Sequence, residues 1–117
     1  MNMSKEEKVK LVKECIDSRD NLFNSFGELE KLVGSFCDNS PLWKSLCDVD
    51  NTMQEAVSIV IGDTKMSDNA TWLNWFIYDN ECGKNGYNAS VGGVDKEIWT
   101  IEDLIDLIDR DNQINSK

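Results

Sequence analysis

The sequence contains no histidine at all. This absence removes the commonest general base, the usual partner of serine and cysteine nucleophiles, and the commonest metal ligand. No apolar run approaches the roughly 20 residues that a membrane-spanning helix needs, and residues 1–13 lack the apolar core of a signal peptide. The sequence therefore predicts a non-catalytic protein of the cytoplasm that does not contact membranes.

Basic residues are scarce. Twelve lysines and arginines stand against twenty-two aspartates and glutamates, which gives a net charge of −10. The excess is uneven, because residues 1–31 hold seven acids and six bases whereas residues 32–117 hold fifteen acids and six bases. Since negative charge repels phosphate groups, we expect no direct binding to nucleic acid, and we expect a protein partner with a basic surface.

The chain also lacks the cysteine spacing of a zinc site, because Cys15, Cys37, Cys47 and Cys82 form no CxxC pair. Without a secretion signal, we expect reduced thiols that mostly pack as small apolar residues. No metal and no cofactor are predicted. One enzymatic alternative stays open, because carboxylates as close as Glu14 and Asp17 could support metal-dependent hydrolysis.

Helical patterning dominates the first half of the chain. Ser4 and Glu7 fit a capping box before an amphipathic pattern that favours one long helix, with Gly34 as its stop. The apolar stripe shifts at residues 18–21, so two abutting helices are the alternative. Ser40 and Pro41 predict the start of a second helix, which ends before Gly62. The apolar stripe predicted for this second helix consists of Leu42, Leu46, Val49, Met53, Val57 and Val60.

The second half alternates helical and turn-forming segments. Ser67 or Asp68 is expected to cap a short aromatic helix over about residues 71–80. Glycines and asparagines then predict a loop, or a small hairpin over residues 87–91 and 94–99. Thr100 and Asp103 predict a capping box at the start of the last helix, which is apolar on one side and acidic on the other.

These elements predict an all-α class. The expected architecture is one domain, residues 1–117, that forms a compact bundle of about four helices with a glycine-containing loop or small β-hairpin before the last helix. Residues 1–3 and 111–117 are expected to fray because they are polar and terminal.

A resemblance is carried by the segment Trp72–Gly86, WLNWFIYDNECGKNG, and by the later pattern Ile98-x-Thr100-Ile101-x-Asp103-Leu104. Together these segments, roughly residues 72–108, resemble small accessory proteins encoded by bacteriophages and prophages. The resemblance brings no catalytic residues. It implies a small non-structural phage protein, of a group that often binds and inhibits a host enzyme in the host cytoplasm.

An acidic surface in the second half is the expected partner-binding site. Carboxylates spaced by helical turns can occupy positions that Arg and Lys of a nucleic-acid-binding or defence protein reserve for phosphates, a form of charge mimicry. The alternative is a solvated face that keeps the protein soluble. The residues expected to bind the partner are Asp79, Glu81, Asp95, Glu97, Glu102, Asp103, Asp106 and Asp109.

The aromatic residues support two other interpretations. They could line a pocket that sequesters a small molecule or a nucleotide, or the aromatic helix could lie between the subunits of a homo-oligomer, for which a homodimer is the simplest form. A third interpretation places them in the protein core. The residues expected to line the pocket are Trp72, Trp75, Tyr78 and Trp99.

Overall fold

A computed structural model describes residues 3–33, 41–63, 65–67 and 70–115, and the fold is mainly helical. Within these ranges, four α-helices are joined by a short 3₁₀ turn at Glu81–Gly83 and by two antiparallel pairs of strands, β1 with β2 and β3 with β4. The strand pairs add β-structure that a purely helical class lacks. The elements are α1 Lys5–Val33, α2 Pro41–Ile61, β1 Lys65–Ser67, β2 Ala70–Thr71, α3 Trp72–Tyr78, β3 Tyr87–Val91, β4 Val94–Ile98 and α4 Ile101–Asn115.

Helix α1 is one continuous helix, as predicted. Its capping box forms as the sequence indicates: the Glu7 amide donates to Ser4 Oγ at 3.1 Å, and the Ser4 amide donates to Glu7 Oε1 at 3.1 Å. The bond from the Ser4 amide holds the pKa of the Glu7 carboxyl below its usual value, because it favours the ionised form. Val12 and Cys15 then bury one face of the helix.

Helix α2 has the predicted bounds, but its predicted apolar stripe is only partly buried. Leu46 and Val57 lie inside, whereas Val49 and Val60 are 55% and 48% exposed. The helix is rotated because its buried face also carries polar residues, which bond to α1 and to the segment around α3. These polar residues are Asp50, Gln54 and Ser58.

Helix α3 is capped by Thr71, not by Ser67 or Asp68. Ser67 belongs to β1, and Asp68 lies outside the described residues. The Asn74 amide donates to Thr71 Oγ1 at 3.2 Å, and the Thr71 amide donates to Asn74 Oδ1 at 2.9 Å. Asn74 thus replaces the usual Glu or Gln of a capping box, which is why the sequence pattern did not reveal this cap.

The hairpin of β3 and β4 lies where the sequence indicated, and Val91 pairs with Val94 across its turn. At the start of α4, the Asp103 amide donates to Thr100 Oγ1 at 3.1 Å, so the predicted capping box forms. Helix α4 continues through residues 111–115, where we expected a frayed end. Hydrogen bonds fix this segment, because Asp111 accepts from Trp72 Nε1 at 3.0 Å and Asn112 donates to the Gly62 carbonyl at 2.9 Å.

The core lies where α1, α2, α3, the hairpin and α4 meet. A second apolar contact lies outside it, where the Trp43 ring packs against Phe23 and Phe26 with ring centroids 6.0 and 6.4 Å apart. No helix in the described parts of the chain is long and apolar enough to cross a membrane. The buried apolar residues of the core are Val12, Cys15, Val57, Ile61, Leu73, Phe76, Ile77, Ala89, Val91, Ile98, Leu104, Ile105, Leu107 and Ile108.

The cysteines differ in their surroundings. Cys15 is buried in the core, Cys47 is half-buried and Cys82 is exposed, and all three are free thiols. Burial raises the pKa of the Cys15 thiol, so this residue packs as an apolar side chain, as expected. Cys37 lies outside the described residues.

Candidate partner-binding groove

A groove with a volume of about 380 Å³ lies between the hairpin and the outer face of α4. Apolar side chains and charged side chains of both signs share its surface, with more carboxylates than cations. Such a surface fits an occupant that has a positive charge and an apolar portion. The lining residues are Ala89, Val94, Lys96, Glu97 and Ile98 from the hairpin, and Asp103, Asp106, Leu107, Asp109, Arg110 and Gln113 from α4.

The groove brings together half of the acids that the sequence predicted as a binding surface. Its four carboxylates belong to Glu97, Asp103, Asp106 and Asp109. The other four predicted acids do not line it. All four are exposed. Asp79 lies at the end of α3, Glu81 in the 3₁₀ turn, Asp95 beside the hairpin turn and Glu102 in the first turn of α4.

Two groove carboxylates already have cationic partners from the start of α1. Lys5 Nζ lies 2.9 Å from Asp106 Oδ1, and Lys8 Nζ lies 3.3 Å from Asp109 Oδ1. The Lys5 and Asp106 side chains are about half exposed, so water screens this pair and an incoming cation can compete for the carboxylate. The interaction also raises the pKa of Lys5, since Asp106 stabilises its charged form.

The other two groove carboxylates differ in whether other groups of the described chain already bind them. Asp103 caps α4 and accepts bonds from the backbone amides of Trp99 and Thr100 at 2.9 and 3.1 Å. Glu97 is exposed on β4, and it forms no ion pair with any part of the chain that the structure describes. Within the described chain, Glu97 is therefore the groove carboxylate that neither pairs with a lysine nor caps a helix.

The four aromatic residues proposed as a pocket lie in different surroundings. Trp72 packs edge-on against Trp75 with ring centroids 6.1 Å apart, and its indole is tied to Asp111. The Tyr78 hydroxyl bonds to residues of α2, while Trp99 is 48% exposed beyond the hairpin. None of these four side chains lines the groove between the described hairpin and α4.

A buried polar network, which sequence reasoning missed, joins α1, α2 and α3. Asp50 is its centre: Arg19 Nε donates to Asp50 Oδ2 at 3.0 Å, and Tyr78 Oη donates to the same oxygen at 2.8 Å. Gln54 Nε2 donates to Asp50 Oδ1 at 2.9 Å, while its carbonyl oxygen accepts from Asn74 at 2.6 Å. The signal in the sequence was the spacing of Asp50, Gln54 and Ser58 at intervals of four residues, which places them on one helical face.

The network ends at Asp63, a carboxylate that is only 9% exposed. Its oxygens accept from the amides of Trp72 and Leu73 at 3.1 and 2.8 Å, so Asp63 ties the end of α2 to the first turn of α3. Burial raises the pKa of Asp63 from 3.8 to about 6, and the hydrogen bonds oppose this rise without cancelling it.

The pH dependence of stability should reveal Asp63. Because its folded pKa is above the unfolded value, the folded protein binds the extra proton between about pH 4 and pH 6, and stability is lost as the pH rises through this window. A shift of this size corresponds to at most about 3 kcal/mol. Chemical denaturation of the wild type and of Asp63→Asn measures the effect. The unfolding free energy of the wild type, relative to that of the variant, should fall as the pH rises from about 4 to about 6. A constant difference would contradict the raised pKa.

No family model, curated protein or solved structure matches the chain. Among the described residues, no group of three or more cysteines or acids is arranged to hold a metal ion. Glu14 and Asp17, the pair that suggested hydrolysis, are both exposed on α1, where Asp17 pairs with Lys13 at 3.3 Å.

Proposed function

We propose that this chain is a non-catalytic, acidic binding protein of the cytoplasm that holds a basic segment of a partner protein in the groove between the hairpin and α4. The observation that carries the proposal is that Glu97, Asp106 and Asp109 line the groove together with apolar residues of the hairpin and α4. A lysine or arginine side chain combines a cationic head with an apolar stem, so it matches both parts of this surface.

The lysines of α1 support the proposal, since two carboxylates that line the groove already pair with cations. Lys5 and Lys8 contact Asp106 and Asp109 from one side, while the hairpin side of the groove holds Glu97. A partner cation can add to Glu97 directly and can replace a screened lysine at Asp106. The binding is expected to weaken in salt, because these charges are exposed and screened.

Charge mimicry defines the class of partner that we propose. A host protein that binds nucleic acid, or that takes part in defence, presents arginines and lysines for phosphate groups, and the acidic groove offers them carboxylates instead. Occupying that surface would inhibit the host protein. We propose with it that the chain is a phage accessory protein, as the sequence of residues 72–108 led us to expect.

Glu97→Lys should weaken the binding of a cationic probe by about 10-fold or more, because a favourable charge becomes a repulsive one at close range. The probe is a fluorescein-labelled hexa-arginine peptide, and its dissociation constant is measured by fluorescence anisotropy at low and high salt. Glu14→Lys is the matched control, since it makes the same charge change at an exposed site on α1, outside the groove. Equal weakening by both variants would show that only net charge matters, and would contradict the groove.

A pull-down from bacterial lysate then addresses the natural partner. The wild type and the Glu97→Lys variant are used as baits at low and at high salt. A protein that the wild type captures and the variant loses would fit the proposal. If the wild type captures no partner at either salt concentration, the proposal is wrong.

A further inference from the structure

The groove follows strand β4, and one edge of this strand is open. Within the described chain β4 pairs with β3 alone, so its second edge has no neighbouring strand. Of the five hairpin residues that line the groove, only Ala89 comes from β3, whereas four come from β4. A segment that lies in the groove therefore lies beside a strand.

The register of the hairpin shows which backbone groups of β4 point outward. The turn has two residues, and Val91 pairs with Val94 across it. A two-residue turn closes on a pair that exchanges hydrogen bonds, and such pairs alternate along the ladder with pairs that exchange none. The N–H and C=O groups of Asp95 and Glu97 therefore point away from β3, and they bond to no residue that the structure describes.

The side chains of β4 alternate between two faces of the hairpin. Ile98 is buried toward the core, whereas Asp95 and Glu97 lie on the outer face and are exposed. A strand added at the open edge would place every second side chain beside these two acids, where a cation is favoured. Its other side chains would point toward α4, where the groove carboxylates already bind lysines or cap the helix and Leu107 is apolar.

The length of the groove also suits an extended segment. Its lining on α4 runs from Asp103 to Gln113, about 15 Å at the rise of about 1.5 Å per helical residue. Strand β4, Val94–Ile98, covers about 13 Å at about 3.3 Å per residue. About five residues of an extended chain would therefore fill the groove along β4.

We infer that the partner's basic segment binds as a third strand on the open edge of β4, with bonds to the outward backbone groups of Asp95 and Glu97. This inference rests on the function proposed for the groove, and it adds the pattern of the segment: lysine or arginine at every second position, with apolar residues between them. Charge disfavours a second copy of β4 in this place, because an antiparallel copy would set its own acids against Asp95 and Glu97.

Backbone methylation of a peptide tests the inference on the wild-type protein. The probe is a fluorescein-labelled hexapeptide in which arginine and valine alternate, and it is made in two further forms, with N-methyl groups on all arginines or on all valines. Only one of these two sets of N–H groups can face β4, since the N–H groups of a strand point alternately to its two sides. The dissociation constants of the two forms, measured by fluorescence anisotropy, should differ by about 10-fold or more, because one form loses its bonds to β4.

A change in the protein checks the same bonds from the other side. Asp95→Pro removes an outward N–H, and proline is tolerated at an edge position where no ladder bond is lost. The matched control is Asp95→Ala, which removes the same carboxylate but keeps the N–H. The proline variant should bind the unmethylated peptide about 5-fold more weakly than the alanine variant, since it lacks one donor.

Circular dichroism establishes that both variants are folded, and if the proline variant is not, the methylated peptides decide the question. Equal affinities of the two methylated forms would overturn the added strand. If Glu97→Lys still weakens the binding of hexa-arginine in that case, the groove keeps its proposed function without strand addition. If neither the alternating peptide nor hexa-arginine binds the wild type, the proposed function is wrong, and the added strand with it.

Discussion

Replacing Asp50 with alanine should lower the free energy of unfolding by about 3–5 kcal/mol, because it removes one partner of a buried ion pair. Asp50 is 2% exposed, and its carboxylate accepts a bond from Arg19 Nε at 3.0 Å. The Arg19 guanidinium lies against the rings of Phe23 and Tyr78, 5.0 and 5.1 Å from their centroids, so it cannot move to water without breaking these contacts. Urea denaturation monitored by circular dichroism measures the loss.

Asp48→Ala is the control for this experiment. Asp48 lies on the same helix and carries the same charge, but its side chain is exposed, so its removal should change the unfolding free energy by no more than about 0.5 kcal/mol. A similar small loss for Asp50→Ala would mean that the polar network contributes little to stability. Tyr78→Phe should give an intermediate loss, since it removes one hydrogen bond to Asp50 and leaves the ion pair intact.

The positions of the helices could be predicted from the sequence because their signals are local. Ser4 with Glu7 and Thr100 with Asp103 are pairs three residues apart, and each forms the capping box that its spacing indicates. Pro41 likewise stands at the first position of α2. Local signals did not reveal the cap of α3, since Asn74 takes the place of the expected Glu or Gln.

The orientation of α2 could not be predicted because the partners of its polar residues are distant in the sequence. Arg19 lies 31 residues before Asp50, Tyr78 lies 28 residues after it, and Asn74 lies 20 residues after Gln54. Hydrophobic patterning assigns polar residues to solvent, so the sequence-based prediction placed Val49 and Val60 in the core. A row of polar residues at helical spacing is compatible with either a wet face or a buried network, and only tertiary contacts distinguish them.

The groove was predictable in charge but not in shape. The sequence indicated an acidic surface that included Asp106 and Asp109, and both residues line the groove. Their pairing with Lys5 and Lys8 joins residues 101 positions apart, so it depends on how α1 packs against α4. The sequence therefore indicated where negative charge lies, whereas the packing of the hairpin and α1 on α4 determines which carboxylates line the groove.

Hydrogen bonds of Asn80 hold the loop before the hairpin in place. Its amides at Gly83 and Asn85 donate to the Asn80 carbonyl at 3.1 and 3.0 Å, and the Asn80 side chain donates to the Ile98 carbonyl at 3.0 Å. The loop is thereby held against the end of β4. Gly83 has a φ of +95°, a conformation that side chains disfavour, and it packs directly on the backbone of Trp99.

Gly83→Ala should therefore destabilise the protein by about 4 kcal/mol, as backbone strain adds to a clash. A Cβ atom at this position would lie 2.0 Å from the Trp99 carbonyl oxygen, which is backbone and cannot turn away. Gly93→Ala is the matched control, because Gly93 has a φ of +78° but no atom within 4 Å of the added carbon, so strain alone should cost about 1 kcal/mol. Thermal and urea denaturation of both variants give the difference. Equal losses would show that the loop moves away from Trp99 at little cost.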